Sequence, residues 1–317
     1  MEVNAQKSLI YGCMGLGGGW SRDPITSDDE RVAQLAVDAA LENGITTFDH
    51  ADIYAFGKSE TVFGTVLKSN PGLREKIRIQ SKAGIRLKTG PDNSNTYDFS
   101  RPYLEKQISG SLKRLNTEYL DLFLLHRPDP LMNPEELAEI FLFLKQRGWV
   151  KSFGVSNMSV RQIQVLNNYC GEEMVANQLQ FGLAHTLILE EGVFVNNKRI
   201  PTGMDMGGML PYAQAHRMEI QAWRPLDRGK YVQAEEPSDD KACRDTKLLV
   251  QSLAHKYNTD ASAVLLAWVL KLPCRISAII GTTKPARIKS AADSLKIELS
   301  REDWYDLWLT ANHLVLP

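Results

Sequence analysis

The sequence has few of the features that would place it outside the ordinary globular class. Its cysteines are scattered, with no CxxC pair and no metal-ligand spacing, at Cys13, Cys170, Cys243 and Cys274. This pattern indicates reduced thiols in a cytoplasmic protein and predicts no bound metal. No apolar run approaches the ~18 residues of a membrane span. The first residues lack a basic region followed by an apolar stretch, so we expect no signal peptide.

Charge of one sign is not in excess. Lys and Arg together number 37 against 38 Asp and Glu, which gives a net charge of −1. We therefore expect neither a nucleic-acid partner nor a membrane surface, and a small molecule remains the natural partner. The chain has 317 residues, of which 43% are hydrophobic and 24% charged. That is enough to bury a large core, and one α/β barrel of this length forms a single domain over residues 1–317.

Short apolar runs alternate with longer stretches of helical period along the whole chain. The predicted strands are Ser8–Tyr11, Ile45–Phe48, Ile77–Gln80, Leu120–Leu125, Val150–Val155, Val175–Leu179, Glu219–Trp223 and Ile276–Ile280. The predicted helices begin near Ser27, Ser59, Arg101, Pro134, Val160, Leu210, Thr246, Asp260, Pro285 and Ser300. Strands that are apolar on both sides and separated by helices favour a parallel sheet covered by helices. Eight such units predict a closed (β/α)8 barrel.

An open doubly wound sheet is the structural alternative. It is usually marked by GxGxxG between the first strand and a helix. Here the first strand leads into the glycine-rich segment 15–19, which is followed by Trp20 and a polar stretch rather than a helix. We interpret this segment as a tight turn beneath a ligand.

Four residues capable of acid–base chemistry follow three neighbouring strands. Asp49 and Tyr54 lie in TTFDHADIY, Lys82 in IRIQSKAG and His126 in YLDLFLLHRPDP. A free phenol has a pKa near ~10, and a nearby ammonium would lower it. Asp49 can keep Lys82 charged, and His126 can hydrogen-bond a carbonyl oxygen. The set predicts proton donation by Tyr54 to a carbonyl, and the hydride must come from a cofactor.

Several motifs together resemble the aldo-keto reductase family over nearly the whole chain. They are TTFDHADIY, QSKAG, YLDLFLLHRPDPL, FGVSN, ANQLQF and AIIGTTKPARI, in the family's order. HRPDPLM and DHADIY are most similar to the bacterial YdhF-like oxidoreductase branch. The resemblance implies a (β/α)8 barrel that reduces aldehydes or ketones with NADPH and oxidises the alcohols with NADP+.

The resemblance also implies a role for each matching position. Asp49, Tyr54, Lys82 and His126 match the catalytic tetrad, and Trp20 matches a residue of the substrate pocket. The cofactor-binding positions are Gly18, Gly19, Ser156, Asn157, Gln178, Trp223, Arg224, Leu226, Gly281, Thr282 and Arg287. Among them Ser156, Asn157 and Gln178 match the group that holds the nicotinamide carboxamide, and Trp223 matches the aromatic that stacks on the ring. Arg287 matches the arginine facing the 2′-phosphate, since a guanidinium forks onto phosphate oxygens.

The chain departs from the family pattern in two places. Trp223 is followed by Arg-Pro-Leu-Asp-Arg-Gly rather than by Ser and glycines, and Asp227 would oppose a pyrophosphate there. Gly281 stands where some members have a lysine near the 2′-phosphate, so preference for NADPH rests mainly on Arg287.

Two other functions stay open. A Schiff-base aldolase would use Lys82 as nucleophile, but it would need that amine uncharged beside Asp49. A slow NADPH-binding regulatory subunit, like the potassium-channel β-subunits that resemble this fold, is the second. The expected ligand is a small carbonyl compound, and the expected state is a monomer or weak homo-oligomer.

Overall fold

The computed structural model describes residues 7–88, 90–194 and 206–316 of the chain. The strands are β1 (Lys7–Gly12), β2 (Thr47–Asp49), β3 (Arg78–Ala83), β4 (Ile85–Arg86), β5 (Thr96–Tyr97), β6 (Leu122–Leu125), β7 (Phe153–Ser156), β8 (Ala176–Gln180), β9 (Glu219–Trp223) and β10 (Ile276–Ile280). The helices are α1 (Ser27–Glu42), α2 (Lys58–Ser69), α3 (Arg101–Arg114), α4 (Pro134–Gln146), α5 (Val160–Cys170), α6 (Leu187–Val193), α7 (Met209–His216), α8 (Lys241–Lys256), α9 (Ala261–Leu270), α10 (Pro285–Asp293) and α11 (Arg301–Asn312).

Eight strands close into one barrel, in the order β1-β10-β9-β8-β7-β6-β3-β2. The strand pairs β1–β2, β2–β3, β3–β6, β6–β7, β7–β8 and β9–β10 are parallel. The predicted (β/α)8 barrel is therefore confirmed. The short strands β4 and β5 form a separate antiparallel ribbon after β3, which the sequence patterns did not predict.

The chain groups into two compact units. One comprises Ile10–Gln178 and Gly281–Pro285, and it contains β2, β3, β6 and β7 with helices α1 to α5. The other comprises Met1–Leu9, Leu179–Ile280 and Ala286–Pro317, and it contains β9 and β10 with helices α6 to α9 and α11.

Helix starts follow side-chain caps. We predicted that α1 would be capped at Ser27, but Thr26 is the N-cap and forms a capping box with Asp29. Helix α8 begins at Lys241, earlier than the predicted Thr246, because the Asp240 carboxylate accepts the Cys243 N–H at 2.7 Å. The capping Asp240 carboxylate thus starts α8 five residues before the point where the apolar pattern predicted the helix to begin.

The strands that carry the candidate site are buried, with apolar side chains predominating in β6 and polar ones at Gln80, Ser81 and Lys82 in β3. All residues of β6 and β7 are buried, as are all residues of β3 after Arg78. Gly154 lets β7 approach its neighbours, since a Cβ there would lie 2.8 Å from both the Ala176 carbonyl oxygen and a Leu124 methyl. None of the helices in the described ranges is long and apolar enough to cross a membrane.

Candidate active site

Backbone hydrogen bonds hold the loops that carry the candidate catalytic residues. The N–H of Asp52 donates to the Lys82 carbonyl at 3.0 Å, and that of His126 to the Ala83 carbonyl at 2.9 Å. The loops that follow β2 and β6 are thus both hydrogen-bonded to the end of β3, which lies between these two strands. Asp49 and Lys82 are brought together from β2 and β3 by this register, in which Asp49 lies opposite Gln80.

Lys82 is a buried ammonium with a full set of acceptors. Its Nζ donates to Asp49 Oδ1 and Oδ2, both at 2.7 Å, and to the His50 carbonyl at 2.8 Å, while the side chain is 1% exposed. Burial opposes the charged form, but the charge of Asp49 and interaction with Tyr54 outweigh it and raise the pKa of Lys82 above its ordinary value. Lys82 therefore carries its proton at neutral pH.

Two glutamine amides complete the surroundings of Asp49. Gln80 Nε2 donates to Asp49 Oδ1 at 2.6 Å, and Gln178 Nε2 donates to the same oxygen at 3.0 Å. We predicted Gln178 as a cofactor-binding residue, and its amide nitrogen is here directed at the tetrad. Gln80 was not predicted as a site residue. The inward-facing position two residues before Lys82 in β3 was the only signal that could have revealed it.

Tyr54 begins a short 3₁₀ turn, Tyr54–Gly57, whose later residues adopt left-handed conformations. Ala55 has φ +49°, Phe56 +59° and Gly57 +90°. The Lys82 ammonium lies 5.0 Å from the centre of the Tyr54 ring. Lys82 lowers the pKa of the phenol, as expected, but the expected net value below that of a free phenol was wrong. Burial raises the pKa of Tyr54 more than Lys82 lowers it, so the phenol is fully protonated at neutral pH.

His126 lies edge-on to the same phenol ring. The ring centres of Tyr54 and His126 are 6.1 Å apart and the planes meet at 82°. Burial, and then the charges of Lys82 and Arg127, hold the pKa of His126 well below its usual range. A neutral imidazole has one N–H donor, and the buried Nδ1 has no partner among the described residues. His126 can therefore donate one hydrogen bond to a carbonyl oxygen.

Ser156 and Asn157 form a compact polar step at the end of β7. Ser156 Oγ donates to the Gln178 carbonyl at 2.9 Å and accepts from Asn157 Nδ2 at 2.7 Å. The Asn157 backbone is left-handed, with φ +56°, and its N–H also donates to the Gln178 carbonyl. The predicted carboxamide-binding pair is thus fixed against β8.

The glycine-rich segment after β1, which we predicted to be a tight turn beneath a ligand, contains left-handed glycines. Gly18 and Gly19 have φ +74° and +79°. An added Cβ at Gly18 would lie 2.7 Å from the Asp29 carboxylate, whereas one at Gly19 would meet nothing within 4 Å. Trp20 is 50% exposed and packs edge-on against Phe56, with ring centres 5.6 Å apart. The candidate pocket residue therefore contacts the turn that carries Tyr54.

The remaining predicted cofactor residues lie after β9 and β10. Trp223 ends β9, and the guanidinium of the exposed Arg224 lies 5.6 Å from its ring centre. Leu226 precedes a tight 3₁₀ turn, Asp227–Gly229. Gly281 and Thr282 follow β10, where the Thr282 carbonyl accepts the Tyr11 hydroxyl at 3.2 Å. Arg287 is exposed in the first turn of α10.

The comparison with known proteins identifies the family. The sequence model of the aldo/keto reductase family matches residues 8–307, and the chain belongs to this family. It is 32% identical to a 6-dehydroglucose reductase of Agrobacterium fabrum, over 96% of this chain and 93% of that protein. It is 33% identical to the oxidoreductase YdhF of Escherichia coli, over 85% of this chain and 84% of that protein. The predicted membership in the YdhF-like branch is confirmed.

Solved structures agree with the fold. A glycerol dehydrogenase from Gluconobacter oxydans superposes with a TM-score of 0.77 at 25% identity, covering 98% of this chain and 93% of that one. Family and relatives together support an oxidoreductase that acts on carbonyl compounds.

Proposed function

We propose that the protein catalyses the reversible, NADPH-dependent reduction of aldehydes or ketones to alcohols, with Tyr54 as the proton donor. One observation carries the proposal. The Tyr54 ring lies 5.0 Å from the buried, charged Lys82 ammonium, and its centre lies 6.1 Å from that of the neutral His126 imidazole. This is the arrangement that donates a proton to a carbonyl oxygen and stabilises the developing alkoxide.

Each residue has a distinct task in this mechanism. His126 donates a hydrogen bond to the carbonyl oxygen and orients it toward Tyr54. Tyr54 gives its hydroxyl proton to that oxygen as negative charge develops there. Lys82 stabilises the resulting phenolate, and Asp49 keeps Lys82 charged and directed through two 2.7 Å hydrogen bonds. In the direction of alcohol oxidation the same groups accept the proton.

Residues suited to NADPH are present. The open left-handed backbone at Gly19 leaves space for a ligand, and Gly281 also has no close neighbour. The nine-residue helix α10 is preceded by Thr282 and Lys284 and has Arg287 in its first turn. Hydrogen-bond donors and cations at a helix N-terminus favour an anionic phosphate. When bound, the cofactor supplies the hydride. Trp223 would offer its indole face to the nicotinamide, and Ser156 with Asn157 would hold the carboxamide.

The aldolase alternative loses support at Lys82. An amine nucleophile must be uncharged, but the Lys82 ammonium donates to three acceptor atoms and its pKa is raised. No observation in the described residues favours that second function.

Tyr54→Phe tests the proposal. Because the substitution removes only the hydroxyl, we expect carbonyl reduction to fall by roughly 10³-fold or more, while the NADPH dissociation constant changes by less than about twofold. Stopped-assay turnover and quenching of tryptophan fluorescence by NADPH measure the two quantities. Tyr119→Phe is the matched control, since Tyr119 precedes β6 at the other end of the strand. Retained activity in Tyr54→Phe would rule out this proton donor.

A further inference from the structure

A second buried polar cluster lies directly behind the candidate tetrad. Glu60, in α2, is fully buried, and its carboxylate accepts from Arg114 Nε at 2.8 Å and from Ser81 Oγ at 2.7 Å. Ser81 precedes Lys82 in β3. Successive residues of a strand point to opposite faces, so the Ser81 side chain reaches the Glu60 cluster while the Lys82 side chain reaches the candidate tetrad.

Arg114 also contacts the turn that carries Tyr54. A Cβ built at Gly57 would lie 3.0 Å from Arg114 Cδ and 3.2 Å from its Nε, so the glycine leaves the space that the arginine fills. Gly110 leaves similar space for the guanidinium, 2.9 Å from Nη1. Gly57 closes a run of left-handed residues in which Ala55 and Phe56, unlike the glycine, are strained and need surrounding contacts to hold them. Arg114 is such a contact.

Asp52 is the third buried acid in this region. It lies between Asp49 and Tyr54 in the sequence, is 7% exposed, and has a buried Oδ1 with no partner among the described residues. The charged and titratable groups that interact electrostatically with it are Glu60, Arg114, Lys82 and Tyr103. Burial and then Glu60 raise the pKa of Asp52 to about 8, which keeps it a neutral acid at neutral pH. Arg114 then neutralises Glu60 alone.

We propose that Asp52, Glu60 and Arg114 form a positioning network: Glu60 holds Arg114 against Gly57, and this contact places the Tyr54 hydroxyl relative to Lys82. None of the three touches the reacting atoms. The inference rests on the proposed function, because it concerns the rate at which Tyr54 donates its proton. A shift of about 1 Å in a reacting group can cost roughly 10²-fold in rate.

Arg114→Lys is the main test, with Arg74→Lys as matched control. Arg74 also pairs with a carboxylate and also reaches β3, through Asp121 at 2.8 Å, which accepts the Ile79 N–H. We expect Arg114→Lys to lower kcat about tenfold or more while the NADPH dissociation constant stays within about twofold. Arg74→Lys should lower stability but leave kcat within about twofold. Glu60→Gln keeps the side-chain shape and answers the same question if Arg114→Lys does not fold.

Asp52→Asn tests the network through the pH dependence of kcat, which a purely structural role of Asp52 would leave unchanged. Ionisation of Asp52 above pH 8 would place a second carboxylate beside Arg114 and draw it from Gly57, so wild-type kcat should decline near that pH. Asp52→Asn cannot ionise and should lack this decline. If the wild type is active and Arg114→Lys and Glu60→Gln keep the same kcat as the Arg74→Lys control, the positioning network is wrong but the proposed function stands. A wild type without any carbonyl reduction would overturn both the network and the proposed function.

Discussion

At the scale of single residues, burial disfavours the charged form of both Lys82 and Tyr54. Both are charged in only one of their protonation states. Asp49 supplies the opposite charge that keeps Lys82 protonated, whereas Lys82 lowers the pKa of Tyr54 by less than burial raises it. The free protein therefore holds a protonated phenol beside a charged ammonium. That is the state from which carbonyl reduction starts.

Arg287 tests cofactor selectivity at the same scale. Its guanidinium is the expected partner of the 2′-phosphate, so Arg287→Ala should weaken NADPH binding roughly 10–100-fold and NADH binding less than about threefold. Calorimetric titration with each dinucleotide measures the two constants.

Lys289→Ala is the control for that prediction. Lys289 is another exposed cation of α10, and its removal changes the net charge by the same amount. Equal losses for NADPH and NADH in Arg287→Ala, or an equal effect of Lys289→Ala, would mean that Arg287 does not recognise the 2′-phosphate.

At the scale of elements, the glycine segment and the start of α1 depend on each other. The Asp29 carboxylate caps α1 through Thr26 and also occupies the space beside Gly18. The Asp29 carboxylate can take this capping position beside Thr26 because residue 18 has no side chain.

Gly18→Ala and Gly19→Ala separate backbone strain from that contact. Both residues are left-handed, so each substitution should cost about 1 kcal/mol of unfolding free energy from the backbone alone. Gly18→Ala should cost a further 1–2 kcal/mol or so, because Asp29 must leave its capping position. Urea unfolding of both variants measures the difference, and equal losses would show that the Asp29 contact has no energetic weight.

The predicted elements were mostly correct where an apolar period was long. The strands near Glu219 and Ile276 agree at both ends with β9 and β10. The ribbon of β4 and β5 and the helix α6 were missed, because each is too short to show a period. The left-handed Ala55 and Phe56 were missed for a different reason. Neither residue type prefers that conformation, and only the surrounding contacts hold it there.

At the scale of the whole molecule, buried titratable groups predict the pH at which the fold is most stable. Burial lowers the pKa of His50 to about 3 and that of His126 well below 6.5, so the unfolded chain binds more protons and stability falls as the pH drops below 6.5. Asp52 has the opposite effect. Its pKa is raised from 3.8 to about 8 in the folded protein, so the folded protein binds more protons than the unfolded chain and its stability falls as the pH rises toward 8.

The two histidines outweigh Asp52 below pH 6.5, and Asp52 acts alone above it. Burial also lowers the pKa of His185, which adds to the loss on the acid side. We therefore expect maximum stability near pH 6.5, with losses of roughly 1–2 kcal/mol near pH 5 and near pH 8. Urea midpoints at the three pH values measure this. Asp52→Asn should remove the loss on the alkaline side, and a wild type whose stability still rises up to pH 8 would contradict a neutral Asp52.

The sequence by itself determined the barrel and pointed to the candidate tetrad. Alternating apolar runs favour a helix-covered parallel sheet, and the strands of one parallel sheet bring their carboxyl ends to one edge, where Asp49 ends β2, Lys82 lies near the end of β3 and His126 follows β6. Only the tertiary structure decided the electrostatics. Whether Tyr54 is ionised depends on how much water reaches it, and no spacing of residues encodes that. The same holds for Gln80, Asp52 and the Arg114–Glu60 pair, whose importance comes from neighbours distant in sequence.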